Sequence, residues 1–394
     1  MAARHLYVHL PFCSSRCGYC DFVTVVGRRA EHGGYVEALL RELELERTLL
    51  ADPLESVYLG GGTPTLTERG ALEHLLDALP PATEVTVEAN PETVTPGLAS
   101  LLAGRTTRVS LGAQTFSPAL LETLGRVASP DDVRAAVYAL RDAGIDNISL
   151  DLIYGIPGQE PADLARDLAE AVALEPEHIS AYELEAKPGT RFTHAHGAEL
   201  ERQADSMESY FERVVETLTS AGFRWYETAN FCRSPELVGG RDLRARHNLG
   251  YWLGRDYLGL GVGAVSTIES RRWRNTPSLA RYVSSLAGRQ RPAREVEELS
   301  RDVRVTERVM LGLRLDEPLP LAPLEHALDP VELERFAKLG LVELGVEKLG
   351  VQKLYVEKLG VVPDRRAEGG DPRTLTLTRR GRFVGGGLTA RLLA

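Results

Sequence analysis

Short runs of β-branched and apolar residues recur through the first half of the chain. Each is followed by a longer stretch in which apolar residues return every three or four positions. The runs are His5–Leu10, Ser56–Leu59, Glu84–Glu88, Arg108–Leu111, Asn147–Leu150 and His178–Tyr182. Between them, Tyr35–Leu50 places Val36, Leu39, Leu40, Leu43 and Leu50 against a charged surface, which is the period of an amphipathic helix. Repeated strand-then-helix units predict a parallel sheet, because parallel neighbours need a crossover and crossovers are right-handed. The predicted class is α/β, a partial barrel of six βα units.

After about residue 230 this rhythm lapses into an aromatic and Gly-rich stretch, with Arg246-His247-Asn248-Leu249-Gly250-Tyr251-Trp252 and then Gly259-Leu260-Gly261-Val262-Gly263. From about Arg301, two helical patterns precede Gly340-Leu341-Val342 and the strand-like Leu375-Thr376-Leu377-Thr378, the layout of a small winged-helix-like domain. The expected division is a core over 1–230, a connecting region over 231–300 and the C-terminal domain over 301–394. Inside the last lies an insert near 342–362, where Val346-Glu347-Lys348-Leu349-Gly350 is echoed twice at a five-residue period that suits neither helix nor strand. It reads as an enlarged wing or loop.

Composition narrows the class without naming a function. The chain has 394 residues, 43% hydrophobic and 26% charged, as an ordinary globular protein does. A formal charge of −10 and the absence of a basic stripe argue against nucleic acid as a partner. No apolar run approaches membrane-spanning length and the start lacks a signal-like apolar region, so no stable membrane insertion and a cytoplasmic location are expected.

Cysteine usage changes the picture more. Three of only 4 cysteines, Cys13, Cys17 and Cys20, stand in the spacing Cys-x-x-x-Cys-x-x-Cys directly after the first predicted strand. Disulfide frameworks spread even numbers of cysteines through small secreted domains, and zinc sites close with four ligands in paired spacings. A three-thiolate loop instead favours an iron–sulfur cluster with one iron left open. The remaining Cys232, among Trp225, Tyr226 and Phe231, reads as a small buried hydrophobe.

Other chemistry-bearing residues fall at the ends of successive predicted strands: Gly60-Gly61-Gly62-Thr63-Pro64, Glu88-Ala89-Asn90-Pro91, Gln114 and Asp151. In βα barrels the C-terminal ends of the strands gather at one mouth. The glycines permit close backbone approach and exposed N–H groups, and a strand-end glutamate can accept from ribose hydroxyls. Tyr7 and Tyr19 flank the cysteine loop.

The cysteine loop, the Gly60–Pro64 turn and Glu88-Ala89-Asn90-Pro91 together resemble the radical S-adenosylmethionine (SAM) superfamily. Within it, His9-Leu10-Pro11-Phe12-Cys13, Leu152-Ile153-Tyr154-Gly155-Ile156-Pro157-Gly158-Gln159 and the His247–Trp252 segment are similar to the branch of oxygen-independent coproporphyrinogen III oxidases and HemW-type haem chaperones. The resemblance implies a radical SAM barrel with a [4Fe–4S] cluster on Cys13, Cys17 and Cys20, whose fourth iron takes the amino and carboxylate groups of SAM. It implies SAM contacts at Tyr7, Tyr19, Gly61, Gly62, Thr63 and Glu88, and it matches Gln114, Arg126 and Asp151 to positions that bind a second SAM in the oxidases. His247, in a His-Asn-x-x-Tyr-Trp motif, is implied as a haem ligand, with Tyr251 and Trp252 supplying flat apolar surface.

Two functions follow from that branch. One is a haem chaperone, binding haem and passing it to an acceptor protein, with an electron donor such as a flavodoxin or ferredoxin if SAM is cleaved. The other is oxidative decarboxylation of coproporphyrinogen III by a 5′-deoxyadenosyl radical. The oxidases carry a longer leader and a fourth cysteine two positions after the third. Here twelve residues precede Cys13 and the corresponding position is Phe22, so the chaperone is expected. Many of those chaperones read Gly-x-Gly-Ala-His where this chain has Gly261-Val262-Gly263-Ala264-Val265.

Overall fold

The computed structural model describes residues 2–186, 191–346 and 373–393. The five-residue repeats beyond Val346 lie outside the described residues. Contacts divide the chain into two units, the first comprising Met1–Trp225, Ala229–His247 and Asp256–Glu297, the second Tyr226–Thr228, Asn248–Arg255 and Glu298–Ala394.

All six predicted strands are present in the first unit: β1 (His5–Leu10), β2 (Leu54–Gly61), β3 (Ala82–Ala89), β4 (Arg108–Gln114), β5 (Ile148–Tyr154) and β6 (His178–Glu183). They pair in that order and all in parallel. Their residues are almost wholly buried, with Val57, Leu59, Val87, Val109, Leu111, Ile148 and Leu150 at 0% exposure, as a sheet covered on both faces requires. The crossovers include α1 (His32–Glu46), α2 (Arg69–Ala78), α3 (Pro96–Leu102), α4 (Pro118–Leu124), α5 (Pro130–Asp142) and α6 (Pro161–Ala173). Helices α3 to α6 each open with proline at the first helical position, where a missing N–H costs nothing. Ser129 and Asp132 complete a reciprocal capping box on α5.

The expected connecting region 231–300 is built differently. It supplies strands to the same sheet: β8 (Asn230–Arg233), next to β7 (Phe223–Trp225) from the end of the expected core, extends one edge, and β9 (Tyr257–Leu260), β10 (Val265–Ile268), β11 (Arg271–Asn275) and β12 (Arg294–Glu298) extend the other. Strand β9 pairs in parallel with β1, Tyr257 opposite His5, so the sheet has 12 strands and stays open. These strands run only three to five residues, too short for a period-2 pattern to stand out. Cys232 is 2% exposed on β8, the small buried residue the sequence suggested.

Helices α7 (Arg191–Gln203) and α8 (Met207–Ser220) follow β6, and α9 (Arg246–Trp252) and α10 (Leu279–Ala287) follow β8 and β11. The glycine-rich loop after β9 has a packing reason. A Cβ on Gly261, whose φ is 108°, would stand 2.7 Å from the Tyr35 hydroxyl and 2.8 Å from the His9 carbonyl oxygen. One on Gly263 would meet Val23 at 2.8 Å. The loop therefore packs on the chain around the cysteines.

The second unit pairs helices with a small antiparallel sheet. Helices α11 (Arg301–Gly312) and α12 (Pro330–Lys338) precede β14 (Val342–Val346), and β15 (Arg373–Leu377) lies between β14 and β13 (Leu319–Pro320). Val309, Leu319, Phe336, Leu375, Leu388 and Leu392 form its core. Helices followed by a three-stranded antiparallel sheet match the winged-helix-like layout expected from the sequence.

Candidate functional site

The cysteine loop leaves β1 at Pro11 and returns at Val26, where Phe12 and Cys13 pair in parallel with Val25 and Val26. Val25 N–H donates to the Pro11 carbonyl at 2.8 Å and Gly27 N–H to that of Cys13 at 3.2 Å, which closes the loop at its base. His9 holds its middle: Nε2 lies 2.8 Å from the Val23 carbonyl and donates to it, while Nδ1 accepts from the Tyr7 hydroxyl at 3.0 Å. Burial lowers the His9 pKa, keeping the ring in the neutral form this pair of bonds needs.

A relay of polar side chains ties the loop to the sheet. Thr63, 3% exposed, donates from Oγ1 towards Cys13 Sγ at 3.9 Å, and accepts from Asn90 Nδ2 at 3.0 Å. Asn90 Oδ1 in turn accepts from Arg126 Nη2 at 2.9 Å. The same guanidinium donates to the Gly112 carbonyl at 3.1 Å and, through Nη1, towards Cys17 Sγ at 3.8 Å. Two of the three cysteines are thus joined through the ends of β2, β3 and β4. Asn90 is the link that the sequence reading did not single out, although it lies in the quoted Glu88-Ala89-Asn90-Pro91.

The Gly60–Thr63 turn works by proximity more than by open amides. Gly62 N–H donates to the Leu10 carbonyl and Thr63 N–H to that of Phe12, both at 2.8 Å. A Cβ on Gly62 would sit 2.6 Å from the Pro11 carbonyl carbon. Gly61, with φ 110°, donates its N–H to Glu88 Oε2 at 3.0 Å. The amides expected to face a ligand carboxylate are engaged within the protein, because the turn lies directly against the start of the cysteine loop.

Glu88 also accepts from the Tyr58 hydroxyl at 2.7 Å. Burial, with the nearby Asp151 charge adding to it, raises its pKa to about 7. Asp151 accepts from Ser110 Oγ at 3.0 Å and is likewise raised by burial. Arg126 donates to Asn90 and Gly112, and among the described residues it forms no ion pair with Asp151. Deeper in the sheet, Arg108 is 2% exposed and lies 3.1 Å from His178 Nδ1. A charge so deep within a strand pattern has no periodic signature in sequence. Gln114 adopts φ 66° at a break in the β4–β5 register and leans over Gly112, where a Cβ would meet its Nε2 at 2.8 Å. A left-handed glutamine at a strand end is a conformation that functional sites retain.

Tyr19 lies on the loop beside Cys17, with burial pushing its hydroxyl pKa up, and its ring meets Phe192 edge-on at 6.4 Å. Tyr7 lies 6.3 Å from the Tyr58 ring, and Tyr58 stacks at 4.8 Å on His247. His247 is 3% exposed. Ser56 Oγ stands between its Nδ1, at 3.0 Å, and His5 Nδ1, at 2.8 Å. Glu84 accepts from the backbone N–H groups of Arg246 and His247 at 3.0 and 3.2 Å, anchoring the start of α9 (Arg246–Trp252). Burial drives the His247 pKa well below its usual value. The imidazole is packed among Ser56, Tyr58 and Tyr7. In the second unit the Arg314 guanidinium lies 4.3 Å over the Trp252 ring, so one flat face expected for a porphyrin is already covered.

A family model for the radical SAM superfamily matches residues 7–171. The haem chaperone HemW of Mycobacterium tuberculosis is 41% identical over 337 residues, covering 82% of this chain and 84% of the relative. The chain belongs to the HemW family of radical SAM proteins. The HemW proteins of Lactococcus lactis and Escherichia coli are each 33% identical, over 317 and 268 residues, covering 78% and 66% of this chain and 80% and 68% of theirs. The structure of the radical SAM coproporphyrinogen III oxidase HemN from Escherichia coli superposes with a TM-score of 0.74 at 21% identity, covering 100% of this chain and 91% of that one. At that identity the likeness is one of fold.

Membership implies a [4Fe–4S] cluster and SAM, and the donor set fits. All four cysteines are free, and Cys13, Cys17 and Cys20 are half-buried on one loop. Among the described residues no three His, Cys, Asp or Glu side chains converge as they would around a single ion. A four-iron cluster takes each thiolate on a different iron, so its ligands stand wider apart than those of a mononuclear site. Burial raises the thiol pKa of Cys13 and Cys20, and metal loading therefore releases protons.

Proposed function

We propose that this chain binds haem and transfers it to an acceptor protein. It does so with a [4Fe–4S] cluster on Cys13, Cys17 and Cys20 and SAM at the adjoining strand ends. The observation that carries this reading is the identity of 41%, running through both units, to a relative named as a haem chaperone. Exposed Phe22 agrees with it, standing where the resemblance places a fourth cysteine in the oxidases.

On this reading the residues divide by what they hold. Thr63 and Arg126 donate towards the sulfurs of Cys13 and Cys17, which fixes the loop and offsets thiolate charge. The Gly61–Thr63 turn holds the start of the cysteine loop against the strand ends beside the amino acid end of SAM, and Glu88 is the acceptor for its ribose. Tyr7 and Tyr19 flank the loop, and Gln114, Arg126 and Asp151, on β4, β5 and the crossover between them, are the residues assigned to a second SAM. Bound together, a reduced cluster and SAM supply one-electron chemistry, for which a flavodoxin or ferredoxin is the class of donor. His247 stacks on Tyr58, whose hydroxyl donates to Glu88. Its burial and its place beside Ser56 weigh against the haem ligation that its motif implied. No helix among the described residues is long and apolar enough to cross a membrane.

One preparation tests the reading: anaerobically reconstituted protein titrated with hemin and assayed with coproporphyrinogen III. Stoichiometric haem binding without decarboxylation is expected. Turnover to protoporphyrinogen IX would replace the chaperone by the oxidase.

A further inference from the structure

Two side chains on neighbouring strands close over a glycine. Tyr58 lies two positions before Gly60 on β2, which pairs in parallel with β3, and Glu88 stands near the end of β3. A Cβ on Gly60 would lie 2.8 Å from the Tyr58 ring and 2.9 Å from Glu88 Oε2, so the missing side chain is what lets the two meet. The Tyr58 hydroxyl donates to Glu88 Oε1 at 2.7 Å, and Gly61 N–H donates to Oε2 at 3.0 Å. The tyrosine ring is itself held in place, stacked on His247 at 4.8 Å with the Tyr7 ring at 6.3 Å.

We propose that Tyr58 is a positioning residue for the ribose of SAM, fixing Glu88 as an ionised acceptor so that SAM uptake releases a proton. The role rests on the SAM-binding reading above and deepens it. An ionised carboxylate offers about four lone-pair sites. Tyr58 and Gly61 take one on each oxygen, which leaves one on each oxygen for a pair of ribose hydroxyls. Glu88 is half-buried at the strand end, so those sites stay within reach of a ligand. A protonated carboxyl gives one of them up to its own hydrogen. Ribose and proton therefore compete for the same group.

The charges around Glu88 set where that competition falls. Burial raises its pKa to about 7, the Tyr58 hydroxyl opposes the rise, Asp151 on β5 adds to it, and Gly61 N–H and Arg108 on β4 oppose it. Burial also keeps the Tyr58 hydroxyl protonated, so it remains a donor through the neutral range. Tyr7 and His247 are the other titratable side chains packed on the pair, both against the tyrosine ring. Below about pH 7 the ligand must displace a proton from Glu88, and above it the carboxylate is ready.

The test measures the Kd of SAM from pH 6 to 9 by calorimetry on full-length, anaerobically reconstituted wild type, Tyr58→Phe and Glu88→Gln. The amino group of SAM titrates in the same range, but its contribution is common to all three proteins and cancels in their ratios. Tyr58→Phe keeps the ring and its stack and removes only the hydroxyl. It should bind SAM about tenfold more weakly than wild type at pH 6, the equivalent of one charged hydrogen bond, and that deficit should shrink as pH rises to 9. Glu88→Gln should lose roughly tenfold of the wild-type tightening between pH 6 and 8. Cluster absorbance should be unchanged in both variants. A Tyr58→Phe deficit equal at every pH, or none, overturns the proposal and leaves the SAM reading standing, as does a Glu88→Gln profile parallel to wild type. A wild-type chain that takes up no SAM overturns both.

Discussion

Replacing Asn90 by Ala removes the middle of the relay that joins Cys13 to Cys17. Two hydrogen bonds disappear, Asn90 Nδ2 to Thr63 at 3.0 Å and Arg126 Nη2 to Asn90 Oδ1 at 2.9 Å. A neutral hydrogen bond contributes about 1 kcal/mol net and one from a charged donor about 1.5–3 kcal/mol, so the loss is about 2.5–4 kcal/mol. Arg126 keeps its bond to the Gly112 carbonyl, and nothing else in the sheet core is touched. The effect should therefore concentrate in the loop. We expect iron–sulfur loss to a chelator to accelerate by at least tenfold, since about 1.4 kcal/mol already corresponds to that factor. Asn90→Asp keeps the acceptor for Arg126 and loses the donor to Thr63, so its loss rate should fall between the two. The assay is the decay of cluster absorbance under chelator, with hydrogen exchange of loop amides alongside. A chelation rate for Asn90→Ala within twofold of wild type would refute the relay as the loop's anchor.

Three further outcomes follow from the same geometry. Gly62→Ala should destabilise the protein by about 1–3 kcal/mol in urea unfolding, because its Cβ would press on Pro11 backbone that cannot yield without moving the cysteine loop. Gly33→Ala, in the first turn of α1 with open space around it, should be stabilising by up to about 1 kcal/mol, and equal effects at both sites would undo the argument. Asp167→Ala should cost about 2–4 kcal/mol, since its carboxylate, 2% exposed, accepts from Phe116 N–H at 2.6 Å and Thr115 Oγ1 at 2.8 Å and so pins the chain after Gln114. The Glu88 pKa is raised to about 7, so the folded state holds this proton more tightly than the unfolded chain does. That stability is complete below the ordinary glutamate range and is lost as pH rises through about 7. Urea midpoints should fall between pH 6.5 and 8, where unfolded-chain histidines are mostly neutral, and Glu88→Gln should flatten that slope; an unchanged slope would place the titration elsewhere.

Much of the architecture was legible in sequence because its signals are local. Each of the six strands carries its own run of apolar residues, and proline or Ser129 marks helix starts within a few positions of the residues they cap. Likewise Cys13, Cys17 and Cys20 lie within eight consecutive positions, so their shared chemistry shows in their spacing. Strands β7 to β12 were not legible: each takes its identity from the edge it joins, and β9 is a strand because Tyr257 finds His5 across the sheet. The site divides the same way. Sequence brought Thr63, Glu88, Gln114 and Arg126 to one mouth, since all lie at or just beyond the C-terminal ends of parallel strands or in the crossovers that follow. Only the tertiary structure showed that the Gly61–Thr63 amides are already engaged, that Arg126 turns to Asn90 and Cys17 instead of Asp151, and that His247 is buried against Ser56 and Tyr58. Those facts depend on which groups meet across separations such as the 109 positions between Cys17 and Arg126. Burial and hydrogen bonding are properties of such meetings, whereas a motif specifies only the residues that are available to make them.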